Sequence, residues 1–191
     1  MIKTKNDYLH YLASDKRALG IESENIIKKI IAPNYIWEFQ KRLRKVEYYK
    51  NCKSNNLIGE VLHNYHKIKL RKQALKLGVS IPENVFGPGL SIVHYGTIVI
   101  NSNAKVGANC RIHACTNIGA SGGKPEAPQI GDNVYIGPGA KIYGNITLGN
   151  NIAISANAVV NKSFEEDGIL LAGNPAEKIK TIDIKRIIKH I

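Results

Sequence analysis

From Ile100 onward the chain repeats every six residues. Stepping by six meets Val106, Ile112, Ile118, Lys124, Ile130, Ile136, Ile142, Leu148, Ile154 and Val160, and ten of these eleven positions are aliphatic. Four residues after the aliphatic stands a small or medium side chain: Ala104, Cys110, Thr116, Val134, Ala140, Ile146, Ile152 and Ala158. Glycine follows the aliphatic directly at Gly107, Gly119, Gly131, Gly137 and Gly149. A period of six matches neither a helix nor the two-residue alternation of an ordinary strand. It is the period of hexapeptide repeats that wind into a β-helix. Each hexapeptide then supplies one short strand and one corner. The aliphatic points inward and stacks on its counterpart in the next coil, and glycine or asparagine eases a corner that needs an unusual φ. Stacking pairs the backbone between coils, so a continuous apolar column replaces a conventional core. The exception, Lys124, lies in ASGGKPEAPQ, which reads as a loop inserted without loss of register.

The first 78 residues follow a different rule. They contain one proline, Pro33, and glycines only at 20, 59 and 78. Apolar residues recur there at helical spacing: Leu9, Leu12 and Leu19; Ile26, Ile27, Ile30 and Ile31; Tyr35, Ile36, Phe39, Leu43, Val46 and Tyr49; then Leu57 to Leu77, closing at Gly78 as a C-cap. Four helices are expected. The aromatic residues Trp37, Phe39, Tyr48 and Tyr49 read as core rather than as a ligand cage. His63 and His66 are spaced to share a helix face, but no third ligand accompanies them, so no metal site is expected. The chain is therefore expected to be α+β: a helical N-terminal domain over 1–78, a β-helix over 79–176, and a helical C-terminal tail over 177–191.

Charge divides at the same place. Of the net +12, residues 1–78 carry 17 basic and 7 acidic side chains. A basic half of this kind could meet a membrane surface, a nucleic acid or an anionic substrate, or simply be a solvated helical face. No recognised nucleic-acid motif accompanies it, so no nucleic-acid partner is expected. No apolar run is long enough for a transmembrane helix, and the mixed-charge start lacks the apolar core of a signal peptide. Three cysteines, Cys52, Cys110 and Cys115, make neither a disulfide framework nor a zinc pattern. The expectation is a reduced, cytoplasmic protein, with attachment to the inner face of the membrane left open. GASGGKP (119–125) lacks phosphate-loop spacing, and Asn145-Ile-Thr147 has no secretion signal to make it a glycosylation site.

The segments GPGLSIVHYGTIVIN, CRIHACTNIGASGG, IGDNVYIGPGAKIYGNITLGNNIAISANAVV and AGNPAEKIK resemble the hexapeptide-repeat acyltransferases, and within them the serine acetyltransferase-like branch. That branch includes enzymes that O-acetylate bacterial surface polysaccharides. The resemblance implies a left-handed parallel β-helix, acetyl-CoA as co-substrate with no metal, and a homotrimer, with a dimer of trimers open, whose active sites lie between subunits. It makes His94 the general base: an imidazole can take the proton of a hydroxyl as that oxygen attacks a thioester, then return a proton to the departing thiolate. It also implies cofactor contacts at Ala120, Pro138, Ala156, Asn161, Lys162 and Lys180, the lysines suiting phosphate. His94 falls where the six-step pattern wants an aliphatic, so the repeat is expected to be interrupted there.

Departures from the branch bear on the acceptor. An aspartate expected before the histidine is Val93, a second orienting aspartate aligns with Ser80, and an Arg-His pair in the loop aligns with Glu126 and Ala127. A buried charge needs a partner, so a pocket without these groups is expected to take a sugar hydroxyl of a surface polysaccharide rather than free serine. Serine O-acetylation for cysteine synthesis is the alternative, and a non-catalytic trimeric scaffold is a second. Glu83 and His113 are candidates to lie beside His94.

Overall fold

The computed structural model describes residues 1–22 and 31–191. Three α-helices are described: α1 (Lys5–Ala18), α2 (Tyr35–Cys52) and α3 (Leu57–Leu77). Each starts on a residue whose side chain accepts from the first turn: Thr4 from Asp7 N, Asn34 from Trp37 N and Asn56 from Gly59 N. Gly78 ends α3 in the left-handed conformation, φ 70°. The helix expected around Ile26 to Ile30 lies outside the described residues.

Short strands, numbered β1 to β14 along the chain, then wind through three parallel faces. The five-stranded face stacks β1 (Val79–Ser80), β3 (Ile98–Ile100), β6 (Thr116–Gly119), β9 (Lys141–Tyr143) and β12 (Val159–Val160). The three-stranded face stacks β4 (Lys105–Val106), β7 (Gln129–Ile130) and β10 (Thr147–Leu148). The six-stranded face runs from β2 (Ser91–Ile92) through β5 (Arg111–Ile112), β8 (Tyr135–Ile136), β11 (Ala153–Ile154) and β13 (Ile169–Gly173) to an antiparallel β14 (Ala176–Thr181). The result is a helical N-terminal region followed by a left-handed parallel β-helix.

Register explains the repeat and its two breaks. Ile118 lies beside Ile142 and Ile142 beside Val160, all buried, so the six-step aliphatics do form the interior column. The residues four places on, from Ala104 to Ala158, are buried as well. The chain advances 18 residues per coil from Ile98 to Thr116 and from Lys141 to Val159, but 24 from Asn117 to Lys141. The additional six residues are the loop holding Lys124, one hexapeptide's worth. Counting by six therefore survives the loop, although Lys124 itself leaves the stack. The second break lies between Ile92 and Ile100, eight residues apart where Ile112 and Ile118 are six apart on the same two faces. Two additional residues push His94 out of the coil.

The glycines that follow the aliphatics do not serve as corners with unusual φ, contrary to expectation. A Cβ on Gly131 would come within 2.6 Å of Gly149 O, so close stacking of coils excludes it. The left-handed corners lie three places after the aliphatics, at Asn109, Asn133, Asn151 and Asn157, each at φ 57°, with Cys115 at 63° and Gly139 at 76° in the equivalent place.

The C-terminal tail is not the expected helix. Its residues 177–181 belong to β14, which covers the last edge of the six-stranded face, and only a single 3₁₀ turn, Ile184–Arg186, follows. An open ladder edge supplies partners for the backbone that a short isolated helix would lack. Beyond it Ile184 and Ile188 pack on Ala153 beside Tyr135 and Leu170, across the outside of the same face.

Candidate functional site

The loop that carries His94 is pinned rather than free. Gly96 N donates to Leu77 O at 2.8 Å, and Ile98 N donates to Gly78 O at 3.2 Å. The C-terminus of α3 thus holds the segment after His94, the next coil holds the segment before it through Val93 N donating to Ile112 O at 3.0 Å, and the imidazole stands exposed between them. Next to it is His113, with ring centroids 6.1 Å apart, and behind His113 the edge-on ring of Tyr135 at 5.2 Å. Burial, then Arg111 and His94, push the His113 pKa below the ordinary imidazole value, so its ring is kept neutral beside its neighbour. Its buried Nε2 has no hydrogen-bond partner. Glu83, the other candidate neighbour, is taken up instead by Lys67 at 3.2 Å and Lys50 at 3.8 Å.

The remaining site residues fall on two corners. Counting two places beyond Ile136 and Ile154, which are in register, gives Pro138 and Ala156, and His94 stands on the detour at the equivalent turn, two places beyond Ile92. They share the corner where the six-stranded face turns into the five-stranded one. Two places beyond Ile118, Ile142 and Val160 come Ala120, Gly144 and Lys162, with Asn161 one place earlier. These occupy the corner where the five-stranded face ends. The two columns therefore flank one face of the β-helix. Lys180 does not join them: it pairs with Leu170, at the start rather than the end of its strand on the six-stranded face. Lys162 is bound to Glu177 at 2.6 Å and lies over the ring of Phe164. A phosphate would have to compete for it in an exposed setting where such a pair is worth little.

A cavity of about 360 Å³ opens beside the His94 loop, lined by Tyr35, Gln73, Lys76, Leu77 and Tyr95. Sequence reasoning missed it because its wall comes from α2, α3 and the loop together. The one local hint is Tyr95 itself, an aromatic next to the candidate base. His63 is half-buried on α3, whereas His66 is buried in the helical region with its Nδ1 engaged by Arg42 Nη1 at 2.8 Å. Among the described residues no group of three His, Cys, Asp or Glu side chains could hold a metal ion, and no helix is long and apolar enough to cross a membrane.

Comparison with known proteins bears on both the repeat and the acceptor. Residues 127–162 match the bacterial transferase hexapeptide family (six repeats). A serine acetyltransferase of Mycobacterium tuberculosis is 38% identical over 105 residues, covering 53% of this chain and 45% of that protein. One from Staphylococcus xylosus is 41% identical over 116 residues, covering 59% and 52%. The chain thus spans about half the length of the curated relatives it matches. Among solved structures, serine acetyltransferase from Brucella abortus strain S19 superposes with a TM-score of 0.72 at 23% identity, covering 93% of this chain and 71% of that one. The Neisseria gonorrhoeae serine acetyltransferase gives 0.68 at 24%, covering 93% and 68%; at such identities the likeness is one of fold.

These relatives overturn the expected sugar acceptor, because they are serine acetyltransferases. That expectation rested on charges missing at Val93, at Ser80 and in the loop where Glu126 is exposed and Ala127 buried. A missing side chain at one place does not prevent another element from supplying the charge in space. The chain is a hexapeptide-repeat protein that resembles the serine acetyltransferase-like branch.

Proposed function

We propose that this chain is a serine O-acetyltransferase that uses acetyl-CoA and serves cysteine synthesis, with His94 as its general base. The observation that carries the reading is an imidazole set out from the stack by two additional residues, in a chain similar to serine acetyltransferases of Mycobacterium tuberculosis and Staphylococcus xylosus. A solved Brucella abortus serine acetyltransferase of the same fold is a complex with coenzyme A, which supports the donor.

The chemistry follows from the reactants. A neutral alcohol is a weak nucleophile, so His94 takes the hydroxyl proton as the oxygen attacks the thioester carbonyl. The new C–O bond forms, the oxyanion is held by backbone N–H groups, and its collapse breaks the C–S bond. The thiolate leaves with the proton returned from the imidazolium. His113, held neutral, adds no second positive charge where that imidazolium forms. Pro138, Ala156, Ala120, Asn161 and Lys162 flank the face along which the pantetheine arm would lie; Lys180, on the six-stranded face, lies outside it. In this reading the protein is a cytoplasmic homotrimer; the apolar Ile58, Val61, Ile68 and Leu75 left exposed on α3 support association of copies.

Thiol release from acetyl-CoA in the presence of L-serine tests the proposal. His94→Ala is expected to lower kcat by about 10²- to 10⁴-fold with the melting temperature unchanged, since the side chain is exposed. A wild-type protein that acetylates no serine would sink the reading.

A further inference from the structure

We propose that the cavity beside the His94 loop is the head-group site for the acceptor, and that it reads an α-amino acid, with Lys76 taking the carboxylate and Gln73 the ammonium. The inference rests on the acetyltransferase reading above and identifies which residues select the acceptor.

An acceptor hydroxyl must meet His94, and the next residue, Tyr95, is a wall of the cavity. The Gly96 to Leu77 hydrogen bond ties that loop to the helix that contributes Gln73 and Lys76. Imidazole and cavity are therefore positioned by one short pinned segment. Lys76 is exposed, on the last turn of α3, and makes no ion pair among the described residues. Gln73 presents the opposite need. Its Oε1 is buried with no donor, and leaving such an acceptor unpaired is costly. Rotation of the terminal amide is soft, so an ammonium at the cavity wall can satisfy that oxygen. A cation and an unpaired acceptor on one helix, three residues apart, match the two charges of an amino-acid zwitterion. Tyr35 and Tyr95, both largely exposed, would bound the rest of it. These groups stand in for the charges that the loop at Glu126 and Ala127 does not carry.

Saturation kinetics with L-serine and with ethanolamine, which lacks the carboxylate, test this on the full chain at fixed acetyl-CoA. Lys76→Met is expected to raise KM for serine about tenfold or more, leave kcat and the KM for acetyl-CoA unchanged, and abolish the preference for serine over ethanolamine. Lys76→Arg should restore it, and Gln73→Leu should raise KM for both acceptors. Melting curves separate misfolding from lost binding. Serine turnover with an unaltered KM in Lys76→Met overturns the inference and leaves the serine reading standing. If the wild type does not acetylate serine, that reading falls, and titration of intrinsic tyrosine fluorescence with L-serine decides the cavity: Lys76-dependent binding supports it, and no binding ends it.

Discussion

His66 illustrates how an ordinary residue type acquires a pH dependence from its surroundings. It is buried on α3, stacked on Tyr49, and accepts from Arg42. Burial first, then Lys45 and Arg42, lower its pKa to about 4. In the unfolded chain the same imidazole protonates near ~6.5. Above that pH the ring is neutral in both states and folding is not penalised. As pH falls from there to about 4, the unfolded chain binds a proton that the folded one refuses, so stability declines. Melting temperatures measured between about pH 7 and about pH 4.5 should therefore drop, and His66→Gln should flatten the curve. Parallel curves for the two proteins would place the effect elsewhere, with His63, His113 and His190 next in line, since their pKa values are lowered too.

At the scale of the element, the β-helix depends on its corners as much as on its aliphatic column. Asn133 adopts φ 57° and joins a ladder, accepting from Asn109 Nδ2 and donating to Asn151 Oδ1, each at 2.9 Å. Asparagine tolerates the left-handed region because its short polar side chain can bond locally, whereas other residues pay about 1–2 kcal/mol. Asn133→Gly should lose only the ladder bonds, about 1 kcal/mol. Asn133→Val should lose those and add backbone strain. Urea denaturation ought to rank them wild type, glycine, valine; equal midpoints for the two variants would remove the conformational argument. The column itself was legible in the sequence because each coil repeats the same chemical demand. The role of the intervening glycines was not, since clearance from the next coil appears only once the coils are stacked.

Over the whole molecule, the helices and the first coil form one unit joined by a buried charge. Arg44 is fully buried, bound to Asp15 at 2.8 Å and Glu47 at 3.0 Å, and donates to the carbonyls of Phe86 and Gly87. Asp15 in turn accepts from the amides of Gly89 and Leu90. Burial opposes the charge on Arg44, but Asp15 and then Glu47 outweigh it and hold the guanidinium protonated beyond its usual range. Phe39, Leu43, Val46 and Leu70 continue the same apolar cluster into the coils. Arg44→Met strands two buried carboxylates and should cost about 3–5 kcal/mol in equilibrium denaturation. An effect below about 1 kcal/mol would mean that the network contributes little beyond packing. Nothing in the sequence marks Arg44 among its basic neighbours; only burial against Asp15 distinguishes it.

The sequence by itself determined the coil, because a six-residue demand repeated down the chain has one periodic solution, while His94 was picked out by resemblance to the acyltransferases, at a place where the repeat is interrupted. Only the tertiary structure set His113 and Tyr135 behind that imidazole and gathered a cavity beside its loop. Tyr35, Gln73, Lys76 and Tyr95 meet across three elements, and long-range juxtaposition leaves no periodic trace in a chain. The same holds for the tail, whose path as a strand depended on an open edge that exists only after the last coil has closed.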